Sequence, residues 1–335
     1  MSATARSIKR RTRSLFAEGP LNPVLDAIWA IKRRPETRHL QSVGRPRAAD
    51  ALVLAGSGRS GTTWLAETIC EVPDVRQVFE PLYPRWVRSA RALPGQVRGP
   101  WPNAYGVRLA PGEDHGAWRP FLERALTGRV RGYWTDRLDS TRKPTRFLVK
   151  LIRANMMLGY LIDEFSPRVL FVQRHPCATV ASRLARGWHA EPAALLEQEA
   201  IRDGILSPWI DTVAAESDPL ARHAIWWAVE NALALEDLAT RPHLALTFED
   251  LLMRPHEEVA RVFSFLELPL PSSVQAALDR PSSLSRQERS YASASARLNA
   301  WKNDLDSEQQ RVIIGWAERL GISRYDDAAF PRQNG

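Results

Sequence analysis

The sequence predicts a single α/β domain in which a parallel β-sheet is covered by helices on both faces. From residue 51 onward, short apolar segments alternate with helical patterns, and this alternation is typical of parallel sheets. Apolar residues make up 44% of the 335 residues and charged residues 25%, the balance of a globular protein with a sizeable core. Because no repeat or linker-like composition follows residue 45, we predict a basic arm (1–45), one domain (46–325) and a tail (326–335).

Four strand-and-helix units are predicted in chain order. Their strands are ALVLAG (51–56), RFLVKLI (146–152), RVLFVQ (168–173) and HLALTF (243–248). The helix after the third strand opens on Pro176, a residue well suited to a first helical position. Residues 84–145 are rich in Pro, Gly, Trp and Arg with little periodicity, and we interpret them as a long excursion on the substrate side. Further helices are predicted within 190–240 and over 306–321.

Composition and charge exclude several classes of protein. No segment reaches the roughly 18 consecutive apolar residues of a membrane span, and two cysteines are too few for a disulfide framework. The net charge is +8, but nine basic and three acidic residues give +6 within 1–38 alone. The folded body therefore carries little excess charge, and nucleic acid is not an expected partner. The arm lacks a secretory core, so we expect a cytoplasmic protein whose arm is solvated or makes weak contact with a membrane surface; a transit peptide stays open.

The segment from Gly56 to Thr63, GSGRSGTT, has the spacing of a phosphate-binding loop, G-x-x-x-x-G-K-[ST]. In such a loop, backbone N–H groups and a helix N-terminus bind phosphate oxygens. Thr62 stands where the lysine is expected, and Arg174 follows the third strand where a magnesium-binding Asp is expected. We therefore predict a phosphate site that does not take a triphosphate with metal. A Gly/Ser turn without a ligand is the alternative that the loop alone leaves open.

Two segments together resemble the sulfotransferases that use 3′-phosphoadenosine 5′-phosphosulfate (PAPS). GSGRSGTTWL (56–65) is similar to their 5′-phosphosulfate loop, and QRHPCATVASRL (173–184) is similar to their 3′-phosphate motif. LTFEDLLMRP (246–255) resembles the segment that follows, and ARLNAWKNDL (296–305) is a degraded relative of their last cofactor-binding loop. The resemblance implies a phosphate-loop fold, PAPS as co-substrate, sulfuryl transfer to an acceptor hydroxyl and no metal.

The resemblance also assigns the cofactor-binding residues. They are Arg59, Ser60, Gly61, Thr62, Thr63, Trp64, Arg174, Ser182 and Arg297. Trp64 is expected to stack on the adenine, with a core tryptophan as the alternative. Arg174 and Ser182 are expected to contact the 3′-phosphate, since Arg offers a planar fork of donors and Ser a short donor. An exposed strand-end Arg and a helix-packing Ser are the alternative for this pair.

Glu80, Arg59 and Lys150 are the predicted catalytic residues. Attack by a hydroxyl at neutral pH needs a base, and the base of the cytosolic enzymes, a His two residues after a strand lysine, is replaced here by Ile152. Glu80 lies in FEPL, a run that resembles carbohydrate sulfotransferases, and is the predicted base; a solvated glutamate before a proline turn is the alternative. Arg59 is expected to stabilise charge on the departing 5′-phosphate. Lys150 interrupts an apolar strand, and we predict that it contacts the transferring group; a lysine that reaches solvent is the alternative.

The aromatic and basic excursion favours a carbohydrate or glycolipid as the hydroxyl-bearing acceptor, although the same residues could cap the core. Two other functions stay open at this stage. One is a phosphate-loop kinase, which the missing lysine and strand-end acid disfavour. The other is a non-catalytic nucleotide-binding protein of the same fold, which the joint presence of Arg59, Lys150 and Glu80 disfavours.

Overall fold

A five-stranded, all-parallel sheet organises the chain in the computed structural model, which describes residues 46–95, 106–138, 143–278 and 293–332 together with residues 27, 28, 31 and 39. The strands lie in the order β2–β3–β1–β4–β5. They are β1 (Leu52–Gly56), β2 (Val75–Phe79), β3 (Arg146–Leu151), β4 (Arg168–Gln173) and β5 (Leu244–Thr247). The α/β class and the four predicted strands are confirmed, and β1 lies at the centre of the sheet between β3 and β4.

The edge strand β2 is the one that the sequence analysis does not predict. Arg76 and Gln77 interrupt its apolar pattern, yet both side chains are fully buried. Arg76 donates a hydrogen bond to the carbonyl oxygen of Gly128 at 3.2 Å and forms a buried ion pair with Asp136. These partners come from a segment more than 50 residues further along the chain, so no local pattern could reveal them.

Helices connect successive strands and cover both faces of the sheet. The α-helices are α1 (Thr62–Ile69), α2 (Arg88–Arg91), α3 (Arg119–Leu126), α4 (Leu158–Phe165), α5 (Pro176–Leu184), α6 (Ile210–Ala215), α7 (Pro219–Leu238), α8 (Phe248–Met253), α9 (Pro255–Leu266), α10 (Ser272–Leu278), α11 (Ala294–Asn299) and α12 (Ser307–Arg319). Short 3-10 helices lie at Ala48–Asp50, Asn155–Met157, Pro192–Glu197, Ser207–Trp209 and Ala300–Asn303, and a π-helix at Ala200–Ile205.

The pleat of the strands divides the core into two layers. Val53 and Ala55 of β1 pack with α3 and α4 on one face, whereas Leu52 and Leu54 pack with α1 and α9 on the other. This alternation follows from the two-residue period of a strand, and it explains why both faces of β1 are apolar. A third apolar cluster joins α5, α7 and α12 and includes Trp227 and Trp316.

Several predicted segments fall at the limits of the described residues. The arm (1–45) lies outside them except for residues 27, 28, 31 and 39, and so do 96–105 and 139–142 of the excursion. Residues 326–332, assigned above to a tail, pack on the domain: the backbone oxygen of Asp326 is 2.9 Å from Nε2 of His175, and Ala329 is buried.

Candidate active site at the carboxyl edge of the sheet

The carboxyl ends of all five strands open into one cavity of about 610 Å³. In parallel sheets this edge is where ligands bind, because the loops and helix N-termini that follow the strands converge there. Chain segments after each strand supply the wall: the loop after β1, Glu80 after β2, Arg153 after β3, Arg174 after β4 and Phe248 after β5.

The loop between β1 and α1 bends sharply toward the cavity. Arg59 and Gly61 both have positive backbone φ angles, 84° and 89°. Glycine is required at position 61 for a second reason, since a Cβ atom there would lie 2.5 Å from the ring of Phe248. A Cβ on Gly58 would likewise lie 2.8 Å from Trp188. The glycines therefore allow two aromatic rings to close directly over the loop backbone.

A buried polar network holds the loop from behind. The hydroxyl of Ser57 donates to Oε1 of Glu230 at 2.7 Å, and Nδ2 of Asn231 donates to the same hydroxyl at 2.9 Å. Arg183 of α5 donates to Oε1 of Glu230 at 2.6 Å and to the carbonyl oxygen of Gly58 at 3.3 Å. Helices α5 and α7 thus fix the loop through side chains that the sequence analysis does not identify.

Arg59, Ser182 and Arg174 lie together beside the loop. Nε of Arg59 donates to the hydroxyl of Ser182 at 3.0 Å, and Arg174 donates to the carbonyl oxygen of Arg59 at 2.8 Å. The guanidinium of Arg174 lies 4.4 Å from the ring centre of Phe248, and that of Arg297 lies 5.5 Å from the same ring. Residues from three distant motifs therefore meet around one aromatic side chain.

His175 connects the segment that follows β4 to the segment around Trp301. Its ring stacks on Trp301 with centroids 4.5 Å apart, and its Nδ1 accepts a hydrogen bond from the backbone N–H of Cys177. Burial lowers the pKa of His175 to about 4, so the ring is neutral at physiological pH. His175 is thus a structural contact next to Arg174, and through Trp301 it contacts the 3-10 helix that follows α11.

Glu80 and Lys150 form a buried ion pair on the other side of the loop. Nζ of Lys150 is 2.7 Å from Oε1 of Glu80, and a guanidinium nitrogen of Arg153 is 3.0 Å from Oε2. Both carboxylate oxygens therefore face a cation. Glu80 has a positive φ of 43°, and its backbone N–H donates to the carbonyl oxygen of Lys150. Such a backbone conformation is uncommon for a residue with a side chain and is found at sites that constrain function.

The charges of this cluster oppose the effect of burial on Glu80. Burial would raise the pKa of Glu80, but Lys150 and Arg153 together hold it below its ordinary value. Burial lowers the pKa of Lys150, and Arg153 and Arg137 act in the same direction, whereas Glu80 raises it. The carboxylate is therefore ionised at neutral pH and is held between two cations.

Most of the predicted site residues line the cavity. They are Arg59, Gly61, Thr62, Thr63, Trp64, Glu80, Lys150, Arg174 and Arg297. Trp64 also packs against the core layer that contains α1. Ser182 reaches the site through Arg59. Ser60 does not line the cavity: its hydroxyl is fully buried and its backbone N–H donates to the carbonyl oxygen of Ser57.

The structure adds cavity residues that sequence reasoning misses, among them Arg137, Arg153, Trp134, Trp188 and Phe248. Phe248 lies in a segment with a recognised resemblance, so its position was detectable. The other four come from irregular loops, where neither period nor spacing marks a residue.

Within the described ranges, no three His, Cys, Asp or Glu side chains are grouped so as to hold a metal ion. No helix there combines the length and the hydropathy that crossing a bilayer requires.

The fold and the site define a phosphate-loop α/β protein in which Thr62 occupies the position of the usual loop lysine, while arginines and one buried carboxylate line the described cavity wall beside the loop. A family model described as "Sulfotransferase family" matches residues 51–272, two thirds of the chain. The chain belongs to this family, and the recognition made from its motifs is confirmed. It is accordingly a transferase enzyme.

Solved structures with a similar arrangement are distant in sequence. The sulfotransferase domain from the curacin biosynthetic pathway is 14% identical, with a TM-score of 0.44, over 81% of this chain and 98% of that one. Sulfotransferase STF1 from Mycobacterium tuberculosis is 14% identical, with a TM-score of 0.43, over 96% and 87%. A mouse sulfotransferase in complex with PAP is 14% identical, with a TM-score of 0.42, over 86% and 90%. A comparison with curated proteins finds no match.

Proposed function

We propose that this enzyme transfers a sulfuryl group from PAPS to a hydroxyl of a carbohydrate or glycolipid acceptor. The observation that carries the proposal is the joint lining of one cavity by the loop arginine Arg59, by Arg174 and by the Glu80–Lys150 pair. A nucleotide-binding protein without catalysis would have no need for a buried carboxylate that faces its phosphate loop.

The donor set fits the two anionic ends of PAPS. Arg174 and Arg297 share the ring of Phe248 and supply cations for the 3′-phosphate. The N-terminus of α1, Arg59, Thr62 and Thr63 supply donors for the 5′-phosphosulfate. Trp64 in the cavity wall offers a ring for the adenine.

When bound, PAPS supplies an activated sulfuryl group whose S–O bond to the 5′-phosphate breaks as the acceptor oxygen bonds to sulfur. Glu80 takes the proton of the acceptor hydroxyl, since it is ionised at neutral pH and lies in the cavity. A proton on Glu80 removes the negative charge that holds Lys150 at 2.7 Å. Lys150 can then turn toward the oxygens of the transferring sulfuryl group. Arg59 and the loop amides stabilise the charge that builds on the 5′-phosphate.

The test of this function is transfer of label. The enzyme is incubated with sulfur-labelled PAPS and a panel of sugars, glycolipids and simple alcohols, and the labelled product is identified by mass. The expected result is a sulfate ester on a sugar hydroxyl with release of PAP. Sulfation of lipid alcohols alone would overturn the acceptor class. Phosphate transfer from ATP with magnesium, and none of sulfate from PAPS, would establish the kinase instead.

A further inference from the structure

The cavity has a second group of cations beside aromatic rings, which we name the acceptor-side patch: Phe79, Tyr83, Trp134, Arg137 and Arg153. The guanidinium of Arg137 lies 3.8 Å from the ring centre of Trp134 and 4.2 Å from that of Phe79. The guanidinium of Arg153 lies 4.0 Å from the ring centre of Tyr83. The rings of Tyr83 and Trp134 meet edge to face at 5.0 Å, so the two arginines belong to one packed unit.

The acceptor-side patch and the donor residues occupy different halves of the sheet edge. In the strand order, β2 and β3 lie on one side of the loop-bearing strand β1, and β4 and β5 lie on the other. Arg174 and Phe248 follow β4 and β5, whereas Tyr83 and Arg153 follow β2 and β3. Glu80, the proposed base, lies within the patch half. A molecule that presents its hydroxyl to Glu80 therefore lies against the patch.

The patch half is strongly positive. Of the seven Lys and Arg side chains in the described cavity wall, the proposed function assigns four to PAPS: Arg59, Lys150, Arg174 and Arg297. Arg137, Arg153 and Arg186 remain; Arg137 and Arg153 belong to the acceptor-side patch, whereas Arg186 follows α5. Glu80 is the single acidic residue in that described wall. Arg137 and Arg153 are also close enough to Lys150 to lower its pKa. Like charges held together in a partly closed cavity attract an anion.

The geometry of Arg153 supports a ligand of that kind. Its side chain is 9% exposed and its terminal nitrogen contacts Glu80, but its Nε is buried with no hydrogen-bond partner in the described part of the protein. Buried donors usually have a partner, and an absent ligand is one reason for an exception. A guanidinium held flat by an aromatic ring presents its N–H fork in a fixed direction, which suits a carboxylate or a phosphate.

We infer that the acceptor carries a negatively charged group of its own, a carboxylate or a phosphate, which Arg137 and Arg153 bind while the acceptor hydroxyl faces Glu80. The inference rests on the proposed function, because it assumes that the donor fills the half of the cavity next to β4 and β5. It adds the charge of the acceptor, which neither the fold nor the family implies.

The test measures binding to the protein saturated with PAP, so that anions do not occupy the donor site. Three pairs of probes each set an anionic compound against a neutral counterpart: methyl glucuronide against methyl glucoside, glycerol 3-phosphate against glycerol, and 4-hydroxyphenylacetate against 4-hydroxyphenylethanol. Titration calorimetry gives the affinities. In at least one pair, the anionic member is expected to bind about 10- to 100-fold more tightly, the value of one or two charge-assisted contacts. The pair that responds distinguishes a carboxylate from a phosphate.

Variants locate the effect. Arg137→Gln and Arg153→Gln are expected to reduce the preference to near unity, and Arg137→Lys to keep part of it because the charge remains without the fork. Arg311→Gln, on the exposed surface of α12, is the control and should keep the full preference. Equal binding within all three pairs, or a preference that survives both Gln variants, would overturn the inference. PAP saturation is checked first: protein that does not bind PAP contradicts the proposed function instead, and the two failures are thereby distinguished.

Discussion

Glu80 combines a positive backbone φ angle, deep burial and two cationic partners, and it lines the same cavity as the phosphate loop. A surface glutamate before a proline would show none of these features, and the sequence alone left that possibility open. Lys150, which interrupts an apolar strand, is the ion-pair partner of Glu80 at 2.7 Å. Removing one partner of a buried ion pair leaves the other charge uncompensated, so substitution of either residue alone should destabilise the fold.

The first prediction at this scale concerns the base. Glu80→Gln should lower turnover by about 10²- to 10⁴-fold, the usual contribution of a positioned general base. Affinity for PAP should stay within a few-fold of that of the native enzyme, because the carboxylate lies on the acceptor side of the loop. Turnover is measured with labelled PAPS, and affinity by calorimetry with PAP.

Arg59→Ala provides the contrast. In the proposed mechanism its cation meets the 5′-phosphate both before and during transfer, so the substitution should weaken PAP binding and slow turnover together. A Glu80→Gln enzyme with near-native turnover would place the base elsewhere. His115, a histidine in the excursion, is an alternative base to consider. It is not in the described cavity wall, and its Nε2 lies 3.0 Å from the backbone oxygen of Ala110.

At the scale of elements, α5 and α7 determine the shape of the phosphate loop. Glu230 of α7 accepts from Ser57 and from Arg183, and both side chains of the ion pair are less than 10% exposed. The loop is thus hydrogen-bonded to two helices that are distant from it in the sequence. This attachment explains how a Gly-rich segment keeps one conformation, since glycine by itself widens the choice of backbone angles.

Glu230→Gln should therefore destabilise the protein by about 3 to 5 kcal/mol, because Arg183 is left buried without its counterion. PAP affinity should fall as well, since Ser57 and Gly58 lose their support. Chemical denaturation and calorimetry measure the two effects. Glu236→Gln, an exposed position on the same helix, is the matched control and should change neither. A Glu230→Gln protein with native stability would show that the network is not what holds the loop.

Helix α8 carries a pH-dependent group beside the cofactor motifs. Glu249 is 1% exposed and accepts the backbone N–H of His175 at 2.9 Å. Burial raises its pKa from 4.5 to about 7. The folded protein therefore holds a proton on Glu249 between pH 4.5 and pH 7 that the unfolded chain has released, and this contribution to stability is lost as pH rises through that range.

Glu249→Gln should remove this dependence, because an amide does not titrate. As the pH rises from 5 to 8, the free energy of unfolding of the variant should increase by about 2 to 3 kcal/mol relative to that of the native protein. Denaturation midpoints at the two pH values measure the difference, and Glu308→Gln on the exposed surface controls for loss of a carboxylate. A constant difference between variant and native protein at both pH values would show that Glu249 does not titrate in this window.

At the scale of the whole molecule, most of the architecture was predictable because it depends on local patterns. Strands β1, β3, β4 and β5 contain short apolar runs, and the loop spacing is a local signal. Strand β2 was not predictable, since its buried Arg76 depends on partners from a distant segment. The donor half of the site follows from motifs in their order along the chain.

The proposed acceptor side of the cavity was much less predictable from the sequence. Glu80 was found from a four-residue run, but Arg137 and Arg153 belong to loops and acquire their meaning only through contacts with Phe79, Tyr83 and Trp134. Cation–aromatic contacts have no characteristic spacing in a sequence. Acceptor recognition therefore has to be inferred from the packed cavity, whereas donor recognition can be inferred from the chain.

The proposed function requires that this cavity recognise a nucleotide through its 3′-phosphate, which the rise in melting temperature with PAP, AMP and ATP measures. PAP should raise the melting temperature far more than AMP or ATP. Arg174→Ala should abolish most of that difference, a loss of about 1.5–3 kcal/mol for a charge-assisted contact, whereas Arg311→Gln should keep it. Equal shifts with all three nucleotides, in the native protein, would contradict the account.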